Sequence, residues 1–159
     1  MAENEQHNER QFAVHRIYTK DLSYEAPHTP DIFHQEWEPE LELSMNTQAN
    51  KLDAETFEVI LSVTATTKLA DKTASIVEVQ LAGLFGIQGF PDSELAHLLG
   101  AYCPNLLFPY VREIVSDLVT KGSFPQLVLQ PVNFDALFAQ HQQQMANQAP
   151  GDSTPPTTH

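Results

Sequence analysis

Apolar and polar residues alternate through most of the first half of the chain. In "TFEVILSVTAT", Phe57, Val59, Leu61, Val63 and Ala65 share one face, while Glu58, Ser62, Thr64 and Thr66 take the other, with Ile60 the exception. "PELELSMNT" sets Leu41, Leu43 and Met45 against Glu40, Glu42, Ser44 and Asn46. "KTASIVEVQLAG" sets Ser75, Val77, Val79 and Leu81 against Ala74, Ile76, Glu78 and Gln80. "QFAVHRIYT" is a fourth, weaker run. A period of two with one buried and one wetter face predicts antiparallel strands. "KLADK", between the third and fourth strands in chain order, suits a hairpin loop. About twenty residues, "KDLSYEAPHTPDIFHQEWEP", join the first two strands, with prolines at 27, 30 and 39. That length predicts a functional loop or a crossover along the surface. Its Tyr24, Phe33 and Trp37 either staple the crossover to the sheet or bind something, and both uses are compatible.

The period changes to helical in the second half. Asp92 or Ser93 can cap "ELAHLLGAYC", and Glu94 in the first turn suits the helix dipole. Pro104 is expected to interrupt, with a restart at Asn105. Leu107, Val111, Ile114, Val115 and Leu118 then keep helical spacing to a stop at Lys121–Gly122. Pro109 should tighten the first turn of this second segment or kink a continuous helix. After "SFPQLVLQPV", Asn133 can cap a last helix carrying Phe134, Leu137, Phe138, His141 and Met145 along one side. Four strands followed by helices over one face describe an α+β domain. The expected divisions are a disordered segment at 1–10, one domain at 11–141 and a flexible polar tail at 142–159. Unpaired sheet edges, and an outer face bearing Ile60 and Ile76, point to a homo-oligomer.

Composition narrows the function. The chain has 21 acidic and 8 basic residues, a net charge of −13, and residues 1–60 hold 13 of the acids against 4 bases. Such a surface repels phosphate backbones, so nucleic acid is excluded as a partner and basic, extended segments are favoured. No signal peptide opens the chain, and the glycine-broken run "LAGLFGIQGF" is too short to span a bilayer, so a cytoplasmic protein without direct membrane insertion is expected.

Catalytic and metal signatures are missing from the sequence. The seven histidines, at 7, 15, 28, 34, 97, 141 and 159, make no H-E-x-x-H, and one cysteine makes no C-x-x-C. There is no Gly-rich phosphate loop and no G-x-S-x-G elbow. Cys103 and His97 are the one candidate nucleophile and base. Six residues apart on one helix, they point about 120° apart around the axis. Flanked by Tyr102 and Pro104, the thiol has no nearby cation except the histidine, so its pKa should not fall. A structural cysteine in a binder, not an enzyme, is the expectation.

"RIYTKDLSYEAP" (16–27), "VEVQLAGLF" (77–85) and "LGAYCPNLLFPYVREIVSDLVTKGSFPQLVLQPVNFDALF" (99–138) resemble SecB, the proteobacterial export chaperones, over about Phe12 to Phe138. The resemblance implies a four-stranded antiparallel sheet, a long crossover loop and two main helices, the first one kinked. It implies a homotetramer, a dimer of dimers with helices between two eight-stranded sheets. It further implies an ATP-independent holdase, with no cofactor, that binds unfolded precursor proteins in the cytosol and delivers them to the SecA motor. The family's acidic face for SecA matches Asp21, Glu25, Ile76 and Glu78, the last two on one side of their strand by alternation. The zinc there belongs to SecA's basic C-terminal tail, so no metal is expected in this chain. The family's often more acidic tail is reduced here to a single acid, Asp152, in "APGDSTPPTTH", which puts its contribution to SecA binding in question. A client groove calls for apolar crossover, strand and last-helix positions, and Tyr24, Phe33, Trp37, Leu41, Leu43, Leu137 and Phe138 are the candidates. The competing expectation is a general antiaggregation or toxin–antitoxin-associated chaperone of the same fold, without motor coupling.

Overall fold

The computed structural model describes residues 9–148. Four antiparallel strands, β1 (Gln11–Glu25), β2 (Pro39–Lys51), β3 (Thr56–Leu69) and β4 (Lys72–Gln88), form one sheet in the order β1-β4-β3-β2. Three helices follow: α1 (Asp92–His97), α2 (Cys103–Lys121) and α3 (Phe134–Asn147). The α+β expectation holds, with helices against one face of the sheet.

That face is the one the alternation marks. Phe57 pairs with Phe85, Leu61 with Leu81, Val63 with Val79 and Ala65 with Val77 across β3 and β4, and all eight side chains are buried. Leu107, Val111, Val115 and Val119, each one helical turn apart, bury one side of α2. They join those strand residues in a single apolar core. Ile60, the exception to alternation, lies on the outer face between Gln48 and Ala82 in register and is buried there.

The connections differ from expectation in informative ways. β1 runs on to Glu25, so the crossover shrinks to residues 26–38 with a 3-10 turn at Asp31–His34. It must pass from one sheet edge to the other, and Ile32, 2% exposed, anchors it in the core on the helical side. The β3–β4 hairpin narrows to Ala70–Asp71, with Ala70 in the left-handed region at φ 53°.

The first helix departs from expectation at both its start and its proline. Pro91, not Asp92 or Ser93, occupies the N-cap, with no side-chain cap; Asp92 and Glu94 in the first turn suit the dipole instead. Pro104 does not break the helix. A π turn at Leu98–Tyr102, in which the Cys103 N–H donates to the Leu98 carbonyl, joins α1 to α2. A proline nitrogen cannot donate to the carbonyl four residues back, and the wider turn carries the chain past that gap. Pro109 lies inside α2, which continues through it. The helix stops at Lys121 as expected, but Ser123, at φ 64°, takes the left-handed turn.

Asn133 caps α3 as expected, its Oδ1 accepting from the Ala136 N–H at 3.0 Å. α3 reaches Asn147, so residues 142–147, expected in the tail, are helical; glutamine is a good helix former in a helix already nucleated and capped. Met1–Asn8 and the tail from Ala149 onward, including Asp152, lie outside the described residues.

Candidate functional sites on opposite faces of the sheet

Strand register assembles the acidic set on the outer face. Asp21 pairs with Gln80, Ser23 with Glu78 and Glu25 with Ile76, so Asp21, Glu25, Ile76 and Glu78 all point away from the helices. The three acids are exposed and Ile76 is half-buried. Asp21 and Glu78 share a shallow depression of about 110 Å³ with Ser62, Thr64 and Gln80. Beside it, Lys20 is taken up by Glu58 at 3.0 Å, and Glu58 also accepts from the Tyr18 hydroxyl and the Asn50 amide. Those hydrogen bonds, Tyr18's foremost, hold the Glu58 carboxyl below the usual carboxylate range. Burial, reinforced by Glu58, pushes the Tyr18 hydroxyl up to about 12. One of the few cations of this face is thus paired with Glu58 at the exposed sheet surface.

The apolar candidates lie on the helical side and divide into two groups. Phe124, just past α2, gathers the crossover aromatics: Phe33 at 5.3 Å between ring centroids and Trp37 nearly parallel at 5.7 Å. Phe33 and Trp37 remain 48% and 38% exposed, large values for aromatic side chains already in contact. Tyr24 is half-buried against the core, its hydroxyl buried beside Gly122 without a hydrogen-bond partner. A Cβ at position 122 would collide with that hydroxyl. Burial raises the Tyr24 pKa. Tyr24 therefore belongs to the packed core more than to an open contact surface.

The second group follows β2. Leu41 pairs with Thr67 and Leu43 with Ala65, which turns both leucines to the helical side, 42% and 38% exposed. Met45, Thr47 and Ala49 continue this strip as the floor of a groove of about 400 Å³, walled by Leu99 and Gly100 on one side and by α3 on the other. Leu137 and Phe138 line that wall with Phe134 and His141. Phe138 rests on Gly100, where a Cβ would come within 2.5 Å of the ring. Leu41 and Leu43 extend the groove toward the crossover instead of lining its deepest part. Phe124, which organises the first group, stands in a segment with no periodicity and went unmarked in the sequence. Met45 and Phe134 were legible as apolar positions but not as groove residues.

Cys103 and His97 do not form a pair. Cys103 is buried in the core, and burial pushes its thiol up to about 12. His97 turns to α3 instead, its Nε2 lying 2.6 Å from Asp135 Oδ1 and its ring edge-on to Phe138. Among the described residues, no three His, Cys, Asp or Glu side chains are grouped to hold a metal ion, and no helix is long and apolar enough to cross a membrane.

Residues 5–145 match the model of the family described as "Preprotein translocase subunit SecB". The chain belongs to the SecB family. It is 52% identical over 155 residues to the protein-export protein SecB of Methylococcus capsulatus, covering 98% of this chain and 99% of that one. It is 50% identical to the SecB of Hydrogenovibrio crunogenus, covering 90% and 96%. Membership makes it a component of protein export. The SecB-like chaperone of Mycobacterium tuberculosis, solved with a peptide from the HigA1 antitoxin, shares the fold: TM-score 0.65 at 19% identity, over 76% of this chain and 90% of the other.

Proposed function

We propose that this SecB chain is a cytosolic, ATP-independent holdase that binds unfolded precursor proteins on its helical side and docks the SecA motor on its outer face. The observation that carries this reading is the placement of the two surfaces on opposite faces of one sheet. A client along Phe33, Trp37, Leu41, Leu43, Leu137 and Phe138 leaves Asp21, Glu25, Ile76 and Glu78 open to a basic tail. Client and motor need not compete, as delivery requires.

Holding needs no covalent chemistry. A protein that binds only the unfolded form removes it from the folding equilibrium by mass action. The exposed aromatics supply contact area at low entropic cost, and net −13 keeps the loaded complex soluble. A homotetramer agrees with exposed Val14 and Leu22 on edge strand β1 and with exposed Tyr102 in the π turn and Tyr110 on α2, apolar surface that a partner copy would bury.

The variant Asp21→Ala/Glu78→Ala separates the two faces. Titration with the zinc-loaded C-terminal tail of SecA is expected to show affinity reduced by roughly tenfold or more, with client refolding arrested as in the parent. The parent's affinity should also fall with added salt, as for any exposed acid–base contact. Unchanged affinity in the variant would remove the acidic face from the proposal. A parent that arrests refolding yet ignores the SecA tail would favour a chaperone without motor coupling.

A further inference from the structure

Lys20 on β1 stands next to the acidic face, and the strand's second register shift puts it there. Tyr18 and Asp21 both point outward, because their partners Ala82 and Gln80 lie two residues apart on β4. Lys20, between the shifted pairs Thr19–Leu81 and Asp21–Gln80, points outward with them: its Nζ lies 3.0 Å from Glu58 Oε2 and 3.2 Å from Oε1. A lysine and an aspartate are thus consecutive on one face, a placement that favours neutralisation. Lys20 nonetheless pairs elsewhere. Among the described residues, neither Asp21 nor Glu78 enters an ion pair, and no cation lines the depression they share.

Glu58 is the residue that takes it. β4 separates β1 from β3, so the lysine chain crosses β4 to reach this carboxylate, and Ala82, between Tyr18 and Ile60 in register, is too short to block the way. Glu58 is the fixed member of the pair, its side chain 12% exposed against 42% for Lys20. It also accepts from the Tyr18 hydroxyl and, at 3.4 Å, from the Asn50 amide. A carboxylate held from several sides decides where a flexible ammonium rests. Lys68 repeats the arrangement, paired at 2.9 Å with Glu42, which is likewise outside the acidic set. Arg16, the remaining Lys or Arg of β1, lies farther off, opposite Leu84.

We propose that Glu58 is a positioning residue of the outer face: by drawing Lys20 across β4, it leaves the carboxylates of Asp21 and Glu78 unneutralised for a basic partner. This rests on the motor-docking reading and adds to it a residue outside Asp21, Glu25, Ile76 and Glu78. A lysine resting on Asp21 would offset the attraction a basic ligand gains there and would have to be displaced before docking.

The test measures affinity for the zinc-loaded SecA tail by calorimetric titration of the full-length parent, Glu58→Gln, Lys20→Ala and the double variant. Glutamine keeps the shape of Glu58 and can still accept from Tyr18, so the change falls on its hold over Lys20. At low ionic strength, Glu58→Gln is expected to bind about threefold more weakly, the scale of an exposed ion pair. Lys20→Ala alone should change affinity by less than about twofold, the lysine being already occupied, whereas in the Glu58→Gln background it should recover the full loss. Client refolding, governed by the other face, should be arrested equally by all four proteins, which shows that they are folded. Glu58→Gln binding like the parent overturns the proposal, as does a loss that Lys20→Ala does not recover. So does Lys20→Ala strengthening binding equally in both backgrounds, which reduces the two residues to independent charges. Should Glu58→Gln not fold, Lys20→Ala in the parent decides alone: a gain of about threefold or more overturns the proposal, and a smaller one supports it. Asp21→Ala/Glu78→Ala judges docking separately. If that variant also binds like the parent, the docking reading falls too; if it weakens while Glu58→Gln does not, only the positioning role falls.

Discussion

Gly83→Val is expected to destabilise the folded chain by about 3 kcal/mol, the upper end for overpacking a well-filled core. Gly83 lies on the helical face of β4, opposite Val59 on β3 and Ile17 on β1. A Cβ there would come 2.6 Å from Cε2 and 2.7 Å from Cζ of Phe85, and 3.2 Å from a Leu107 methyl. Phe85 and Leu107 are themselves fully buried, so neither has space to retreat. The branched side chain must push α2 off the sheet or drive Phe85 from its rotamer. Gly100 offers the contrast: its obstacle is Phe138, a half-buried ring on α3 that can swing away. Urea denaturation at fixed protomer concentration measures the difference, since an assembly's apparent stability depends on concentration. A change under about 1 kcal/mol would show that the packing of α2 on β4 is looser than described.

The second large effect is on client binding. Phe33→Ala/Trp37→Ala is expected to weaken capture of an unfolded precursor by roughly 30-fold, about 2 kcal/mol, the size of an interface hot spot. Both rings are exposed enough that their loss should shift the melting temperature little, unlike Phe124, which is 6% exposed and holds them in place. Leu137→Ala, at a single groove position, should weaken binding less. Fluorescence titration with a labelled, reduced precursor reads the affinity directly. Unaltered capture by the double variant would move the client site away from the crossover.

Alternation made the central core legible before the fold was known, because β3 and β4 keep strict parity from Phe57 to Ala65 and from Ser75 to Leu81. β1 looked weak for a physical reason. Phe12 and Val14 share the helical face, then a bulge at His15 passes it to Ile17 and Thr19, and a second at Lys20 passes it to Leu22 and Tyr24. Two one-residue insertions reverse parity twice, so no period-two template spans the strand. They also shortened the apparent strand and lengthened the apparent crossover. The same shifts turn Asp21 and Glu25 outward, an orientation the family resemblance supplied and local pattern did not. The π turn was hidden because Pro104 reads as a break when only four-residue hydrogen bonding is considered. The pairing of Lys20 with Glu58 across β4 depends on strand order, which alternation within single strands cannot reveal.

The most direct test of the central claim mixes a reduced, chemically unfolded precursor with this SecB on dilution from denaturant, and follows both refolding and complex mass by light scattering. The account predicts arrested refolding and a complex of four 17.8 kDa protomers carrying the precursor, with no binding once the precursor has folded. Refolding at the spontaneous rate, or equal binding of the folded form, would contradict it.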